Sequence, residues 1–291
     1  PLGLENSSVV WEDRFESQAA VGHPMSGEAV KPRKGKMVNA AASLRTTAVD
    51  YARFVIAILN ETGLKKETFA EMLRPHVWLD PNCVTCTNRQ LGMVSKTLAW
   101  GLGWGLQSTD VGEYLWHWGD NGIFKCYIVA DRQKKSGVVY MTNSNNGLAV
   151  RDEIVSRAMG GTHPAFKWVQ YDQYDSREMS FRQIALKQGA EAGVQRFLDW
   201  KNSDGAAPVS ERSINQLGYV LLGMKRVDEA IEIFKLNVRE YAESFNVYDS
   251  LGEGYMVNGD TLLAIQYYEK SIKINPDNTN GIEMLKKLRG E

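Results

Sequence analysis

The second half of the chain repeats itself with a fixed period, and this feature limits the fold more than any other. Leu217-Gly218 recurs 34 residues later as Leu251-Gly252, and Ala230 recurs as Ala264 at the same offset. Leu221 with Tyr255 and Phe234 with Tyr268 follow the same spacing. Small residues let helices approach closely, and aromatic residues fill the space between them. A repeat of this length buries its apolar face by stacking on its neighbours, so the pattern predicts stacked helix pairs.

This period resembles that of tetratricopeptide repeats. The resemblance predicts an all-α repeat domain over residues 181–291, with clear repeats at 211–244 and 245–278 and a capping helix at 279–289. Pro276 closes the second repeat where the family places a proline, and Ala242 stands at that position in the first. Residues 181–200 are expected to form a degenerate helical pair upstream.

In tetratricopeptide repeats the first helix of each pair lines a peptide groove. The comparable positions here are Arg212, Asn215, Tyr219, Asn246, Asp249 and Glu253. Because Asp249 and Glu253 would repel a terminal carboxylate, a carboxylate clamp is not predicted. Three partners for this face stay open: an external protein or peptide, the first half of the same chain, and a second copy of the chain.

The most informative stretch of the first half is Trp116-His117-Trp118-Gly119-Asp120-Asn121-Gly122. Alternation along a strand places Trp116 and Trp118 on one face and His117 with Gly119 on the other. The tryptophans are then expected to be buried while His117 faces outward. A glycine on the same face as His117 lets a second backbone or a ligand approach closely.

Several segments resemble landmarks of penicillin-recognising serine hydrolases, in the order of that family. They are Pro1-Leu2-Gly3-Leu4, residues 41–47, Trp100-Gly101-Leu102-Gly103-Trp104, His117-Trp118-Gly119 and Thr142-Asn143-Ser144. The family's class C β-lactamase-like and esterase-like members often carry His-x-Gly as their third motif. The resemblance covers about residues 1–161. It predicts a partial hydrolase domain at 1–164, followed by a linker at 165–180.

The resemblance also implies roles for individual residues. His117 and Gly119 become third-motif residues of the catalytic site, with His117 orienting the substrate or the base. The strand near Gly119 and Asp120 offers a backbone N–H to an oxyanion. Trp118, Asp120 and Asn121 become substrate-binding residues, although Asp-Asn-Gly is equally typical of a turn. Because Trp118 replaces the usual threonine, esters and peptides are favoured over β-lactams.

The nucleophile of this family is missing from the chain. No serine is followed by lysine at the third position, and no Tyr-x-Asn or Gly-x-Ser-x-Gly pattern occurs. We therefore expect a piece of a longer serine hydrolase that is inactive alone and whose partner is the missing N-terminal part of the same domain. We also expect pairing with another copy, or docking of the repeats, over the exposed sheet. The alternative is a non-enzymatic binding scaffold with a degenerate hydrolase-like domain.

The predicted fold class is α+β: a partial β-lactamase or transpeptidase-like antiparallel sheet with helices, followed by an all-α helical-repeat domain. Helices are predicted up to Leu59, with Thr47 as the N-cap, and over 67–73 and 150–159. Strands are predicted at 98–106, 114–118, 124–130 and 137–142, and residues 77–96 are predicted to form a long loop.

Charge and composition exclude several other functions. The 34 basic and 35 acidic residues give a net charge of −1, so neither nucleic acid nor an anionic membrane is an expected partner. The apolar run at 54–59 is far shorter than the roughly 20 residues needed to span a bilayer. Cys83 and Cys86 lack a second ligand pair, so we predict no metal or cofactor, and a disulfide or two free thiols stay open. Only the family resemblance addresses localisation, and it suggests a bacterial periplasmic or secreted protein.

Overall fold

The chain folds into two compact units, Pro1–Tyr174 and Asp175–Glu291, which we call the sheet unit and the repeat unit. The computed structural model describes residues 2–80, 96–205 and 207–291. Cys83, Cys86 and most of the predicted long loop lie outside these ranges. In the described ranges, no helix combines the length and the apolar character needed to cross a membrane.

The sheet unit is built on an antiparallel sheet whose strands lie side by side in chain order. Its strands are β1 (Val77–Trp78), β2 (Leu98–Trp100), β3 (Gly105–Thr109), β4 (Gly112–Asp120), β5 (Lys125–Asp131) and β6 (Ser136–Thr142). Trp116 on β4 pairs with Gly105 on β3 and is fully buried. A Cβ atom on Gly105 would overlap the Trp116 indole, so this glycine makes room for the largest side chain of the core.

Helices cover both faces of this sheet. They are α1 (Ala48–Leu59), α2 (Lys66–Met72), α3 (Arg151–Met159) and α4 (Pro164–Val169), and two short 3-10 turns lie at Asp13–Phe15 and Gly147–Val150. One core joins Val55 and Phe69, from α1 and α2, to Leu115 on β4. The other joins Phe166 on α4 to Trp116. Successive β4 side chains therefore enter opposite cores, as the predicted alternation requires.

The strand predicted at 98–106 is two strands joined by a tight turn. Gly101 donates its N–H to Trp104 O at 2.8 Å, and Gly103 has a φ of +79°. A Cβ atom on Gly101 would overlap the carbonyl oxygen of Met72. The two glycines therefore reverse the chain between β2 and β3 and let it pass close to α2.

The segment predicted as a linker at 165–180 contains α4 and the beginning of the next helix. Phe166 and Trp168 on α4 are buried in the sheet core, and the sheet unit continues to Tyr174. The glycines before Pro164 suggested a domain boundary. Pro164 instead occupies the first turn of α4, a position where proline needs no hydrogen-bond partner for its nitrogen.

The repeat unit contains antiparallel helix pairs where the period predicts them. Its helices are α5 (Arg177–Gln188), α6 (Ala190–Asp204), α7 (Glu211–Gly223), α8 (Val227–Glu240), α9 (Phe245–Asn258), α10 (Thr261–Ile274) and α11 (Thr279–Arg289). Helices α7 and α8 form the first clear repeat, α9 and α10 form the second, and α11 follows as the terminal helix. Helices α5 and α6 are the upstream pair.

Small residues stand where the helices of each pair touch. A Cβ atom on Gly218 would overlap the Phe234 ring, and one on Gly252 would lie 3.2 Å from the Tyr268 ring. Gly193 on α6 faces Ala185 on α5 in the same manner, with an added Cβ 2.8 Å from that of Ala185. The spacing of small and aromatic residues in the sequence thus becomes the packing of the helices.

Candidate functional site

The half of β4 that carries His117 extends beyond the end of β3. The pairing of β3 with β4 reaches only as far as Trp116, which lies opposite Gly105. Pairing with β5 continues on the other side as far as Asp120. Residues 117–120 therefore have a strand neighbour on one side only among the described residues, and we call this stretch the open edge.

The hydrogen-bond alternation shows which main-chain groups face the open edge. Two bonds fix it: Arg132 N to Glu113 O at 3.1 Å, and Asn121 N to Phe124 O at 3.0 Å. With the β4–β5 register, they make His117 and Gly119 the residues that bond to β5. The N–H and C=O groups of Trp118 and Asp120 consequently point away from β5, toward the open edge. This is the arrangement that could pair with an extended substrate.

His117 is half-buried rather than outward-facing. Its ring packs against those of Trp100 and Trp118, at centroid distances of 5.5 and 5.7 Å. Burial lowers the pKa of His117, against the hydrogen bond of its Nδ1 with Trp118 O at 2.7 Å. A neutral ring that donates from Nδ1 carries its lone pair on Nε2. His117 is thus suited to accept a proton or a hydrogen bond at this edge.

Gly119 makes room for a side chain that the sequence interpretation had not considered. A Cβ atom there would lie 2.6 Å from Cys126 Sγ, on the neighbouring strand β5. Burial raises the pKa of this free thiol. The close approach predicted at Gly119 is therefore occupied by Cys126, and alternating registry between β4 and β5 was the signal that could have identified it.

The carboxylate of Asp120 lies on the opposite face of the sheet from His117. It accepts hydrogen bonds from Lys125 Nζ, from Tyr171 Oη at 2.5 Å and from Gly122 N at 2.8 Å. Burial opposes ionisation of Asp120, but these bonds outweigh it and lower the pKa of the carboxyl group. Partial burial and the bond to this carboxylate raise the pKa of Tyr171 to about 12. The structure does not bring the Asp120 and His117 side chains together, so only the Asp120 backbone adjoins the candidate site.

Asn121 connects the β4–β5 turn to a distant segment. Its amide donates to Ala42 O at 3.3 Å, within the landmark segment at 41–47. Asn145, which follows the landmark at 142–144, donates to Gly122 O at 3.2 Å. The structure therefore gathers three of the family-like segments around the end of β4.

Trp118 borders the open edge as part of an aromatic cluster. Its ring is half-buried and lies 6.1 Å from Trp100 and 5.4 Å from Trp168, measured between centroids. The surface next to the edge is consequently aromatic where the family motif supplies a hydroxyl.

The six groove positions of the repeat unit divide into three environments. Tyr219 donates to Glu253 Oε2 at 2.8 Å. Asn246 donates to Glu211 Oε1 at 3.2 Å, and Asp249 is buried at 8% exposure against the start of α11. Arg212 is exposed, while the side-chain oxygen of Asn215 is buried and has no hydrogen-bond partner in the part of the chain that the structure describes. Asp249 is thus a structural residue, and the open part of the groove lies near Tyr219 and Glu253.

A cavity of about 460 Å³ behind the sheet is a weaker candidate. Its most buried charged group, Arg151, donates to the carbonyl oxygens of Leu148, Phe166 and Tyr171. The His163 nitrogens face Gln107 and Gly160 O at 2.8 and 3.0 Å. These polar groups already serve the fold. In the part of the chain that the structure describes, no cluster of His, Cys, Asp and Glu could hold a metal ion.

Comparison with known families decides the affiliation of the sheet unit. A family model described as beta-lactamase matches residues 1–158, which is more than half of the chain. The chain belongs to the beta-lactamase family. This confirms the resemblance drawn from the landmark segments and the α+β fold class. A tetratricopeptide repeat model matches residues 245–278, the bounds predicted for the second repeat.

Solved structures with similarity to the chain fall into the same two groups. A beta-lactamase/D-alanine carboxypeptidase from Pseudomonas syringae is 17% identical, with a TM-score of 0.38, over 50% of this chain and 45% of that one. An octameric penicillin-binding protein homologue from Pyrococcus abyssi is 17% identical, with a TM-score of 0.44, over 63% and 39%.

The second tetratricopeptide domain of human RPAP3, solved with an HSP70 peptide, is 15% identical, with a TM-score of 0.30, over 40% of this chain and 94% of that one. The chain thus spans less than half the length of the two hydrolase-like structures. No curated protein matches it.

Proposed function

We propose that the sheet unit is part of a serine acyl hydrolase and supplies the substrate-pairing wall of its active site. The observation that carries this proposal is the open edge, where the N–H groups of Trp118 and Asp120 adjoin the neutral ring of His117. Membership of the beta-lactamase family supports the reaction class.

In this proposal the substrate lies extended along β4. The Asp120 N–H stabilises the oxyanion of the tetrahedral intermediate, since a fixed backbone donor needs no rearrangement as charge develops. His117 Nε2 accepts a hydrogen bond from the substrate or from the base. The nucleophilic serine and its lysine come from the N-terminal part of the same domain, outside this chain, so the chain alone is inactive.

We further propose an ester or a peptide-like amide as the substrate rather than a β-lactam. The family motif carries a hydroxyl where Trp118 stands, and the carboxylate of a β-lactam loses that contact here. The aromatic surface of Trp100 and Trp118 instead offers apolar contact beside the scissile bond.

Hydrolysis assays test this proposal. This chain and a longer form that includes the preceding part of the domain would be offered a chromogenic cephalosporin and a nitrophenyl ester. We expect turnover of the ester by the longer form only, and loss of that turnover in His117→Asn. His76→Asn, at a histidine that contacts the Glu71 backbone, is the matched control. Turnover by this chain alone would contradict the proposal.

A second function, protein or peptide binding by the repeat unit, is favoured by a different observation. A tetratricopeptide repeat suggests such binding, and the partly exposed Tyr219 and Glu253 form a polar face on α7 and α9. If the repeat unit captures a partner while the longer form hydrolyses neither substrate, the chain is a binding scaffold with a degenerate hydrolase domain.

A further inference from the structure

The face formed by α7 and α9 is organised around one exposed tyrosine. Tyr219 is 38% exposed, and its ring lies 5.3 Å from that of Phe234 in an edge-to-face contact. Its hydroxyl group lies 2.8 Å from Glu253 Oε2 and 3.3 Å from Ser250 Oγ. The Tyr219 ring is therefore held by Phe234 on one side and by its hydroxyl contacts on the other, with Glu253 beside it at the surface.

The carboxylates on this face have no cationic partner among the residues that the structure describes. Asp249 and Glu253 are one helical turn apart on α9. Asp249 accepts from the neutral amides of Asn278 and Asn280, at 2.7 and 2.9 Å. The ion pairs of the repeat unit, within the described ranges, involve other acidic residues. Glu253 thus carries the negative charge at the open part of this face, with the buried Asp249 behind it, and neither forms an ion pair within the described ranges.

A buried hydroxyl group beside these carboxylates points independently to a ligand. Tyr268 is fully buried, and its hydroxyl group has no hydrogen-bond partner in the described part of the chain. The Tyr268 ring packs against Gly252, the residue before Glu253 on α9, where an added Cβ atom would lie 3.2 Å from the ring. Burial raises the pKa of Tyr268, and the negative charges of Glu253 and Asp249 raise it further. Phe234 fills the equivalent position of the preceding repeat, so packing there does not require a hydroxyl group.

Asn215 adds another acceptor to this face. Its side-chain oxygen is buried and has no hydrogen-bond partner among the described residues. It stands one turn before Tyr219 on α7, and residues four apart on a helix are neighbours on its surface. Apart from the exposed Arg212 near the start of α7, the groups left to a ligand are thus acceptors, and two of the nearby groups are negatively charged.

We propose that the α7–α9 face binds a peptide segment of a partner through a lysine or arginine side chain that lies against Glu253, Tyr219 and Tyr268. An ammonium or guanidinium group donates several hydrogen bonds and accepts none, which matches acceptors that lack donors. The inference rests on the proposed peptide binding by the repeat unit, and it adds that the bound peptide carries a positive charge.

Peptide titration against the whole chain tests this inference. Three peptides of equal length, identical except for lysine, glutamine or glutamate at the variable positions, would be titrated by fluorescence anisotropy. We expect the lysine peptide to bind most tightly and added salt to weaken it. Glu253→Gln should weaken it about tenfold, the usual loss for one hydrogen bond to a charged group. Glu283→Gln, the same change at an exposed site on α11, is the matched control and should have no effect.

Tyr268→Phe separates binding from packing. Removal of an unpartnered hydroxyl group should leave the melting temperature unchanged or raise it. The same change should weaken binding of the lysine peptide. A lower melting temperature with unchanged affinity would assign Tyr268 to the fold and contradict its role in the site.

Other outcomes distinguish the inference from the function on which it rests. If the glutamate peptide binds best and Glu253→Gln tightens it, the cationic preference is wrong while peptide binding stands. Equal effects of Glu253→Gln and Glu283→Gln would place the site elsewhere on the chain. If no peptide binds and the repeat unit captures no partner, both proposals fail.

Discussion

The two units of this chain differ in the sequence distance over which their contacts form. In the repeat unit, Arg226 reaches Ala185 across 41 positions, about one repeat away. In the sheet unit, Asn121 reaches Ala42 across 79 positions, and Asn143 reaches Val21 across 122. The repeat unit is therefore assembled from neighbours, whereas the candidate site needs most of its unit in place.

This difference predicts how each unit responds to a single change. The stability of a repeat array is close to a sum of repeats and their interfaces. In the sheet unit, one buried side chain supports several strands and the edge that we propose binds substrate.

Trp116→Ala should cause the largest loss. The side chain is fully buried between β3, β5 and α4, and deletion of a buried tryptophan costs about 3–5 kcal/mol. Denaturant unfolding followed by tryptophan fluorescence measures the loss. Trp118→Ala, on the same face but half-buried, is the matched control and should cost less. Equal losses of stability would show that the greater burial of Trp116 does not make it more important to the fold than Trp118.

Asp120→Asn should come next because it leaves Lys125 buried without its anion. Breaking a buried pair costs about 3–5 kcal/mol, and we expect about 2 kcal/mol here since Asp120 is 30% exposed. Chemical denaturation at neutral pH measures this loss. Asp110→Asn, another aspartate of the sheet unit, should change it little.

Acid titration tests the same Asp120–Lys125 pair, because the direction of the Asp120 pKa shift predicts how stability changes with pH. Folding lowers the pKa of Asp120, so its ionised form stabilises the fold above the unfolded value of about 3.9. This contribution is lost as the pH falls through the lower, folded value. Asp120→Asn should therefore show a shallower loss of stability in acid than the natural chain, and an identical profile would exclude this role.

Equivalent glycines of the two repeats should respond differently to alanine. A Cβ atom at Gly218 overlaps the Phe234 ring, so overpacking should cost about 1–3 kcal/mol. At Gly252 the nearest ring atom is 3.2 Å away, and the gain of about 1 kcal/mol in helix propensity should offset the small shift required. Thermal unfolding of the two variants, followed by the helical circular dichroism signal at about 222 nm, compares their stability. A larger loss for Gly252→Ala would contradict the packing.

His117 should have the smallest effect, which is a dependence of the stability of the fold on pH. Burial lowers its pKa, so the neutral ring stabilises the fold above the unfolded value of about 6.5. That contribution is lost as the pH falls below this value. Proton NMR should show His117 titrating below about 6.5, with the resonance assigned by its absence in His117→Asn. Titration above that value would mean that the ring is solvated or paired with an anion.

The sequence predicted the repeat unit closely and the sheet unit less so. The spacing of Gly218, Ala230 and Phe234 was sufficient because each residue contacts others within about one period. In the sheet unit, alternation located β4 and the buried Trp116, and the cap at Thr47 was correctly identified. The turn at Gly101 and the fold of residues 164–169 were missed, since both depend on packing against distant elements.

The candidate site shows the same limit at the level of single residues. His117 was proposed from its motif, but its packing against Trp100 and Trp118 was not predicted. Asp120 was proposed to bind substrate, although the pleat sends its side chain to the face opposite His117 and the carboxylate bonds to Lys125 and Tyr171. Tyr171 is 51 positions from Asp120, so no local pattern could indicate this contact.

By itself, the sequence determined the helical period, the strand alternation and the family landmarks, because each depends on residues a few positions apart. Tertiary structure alone decided that the pairing of β3 with β4 stops at Trp116, so that the next four residues of β4 have a strand neighbour on one side only within the described ranges. It also decided that the Glu253 carboxylate lies against the Tyr219 hydroxyl group. Strand register and helix stacking set these distances, and both are fixed by the burial of apolar faces across the whole unit.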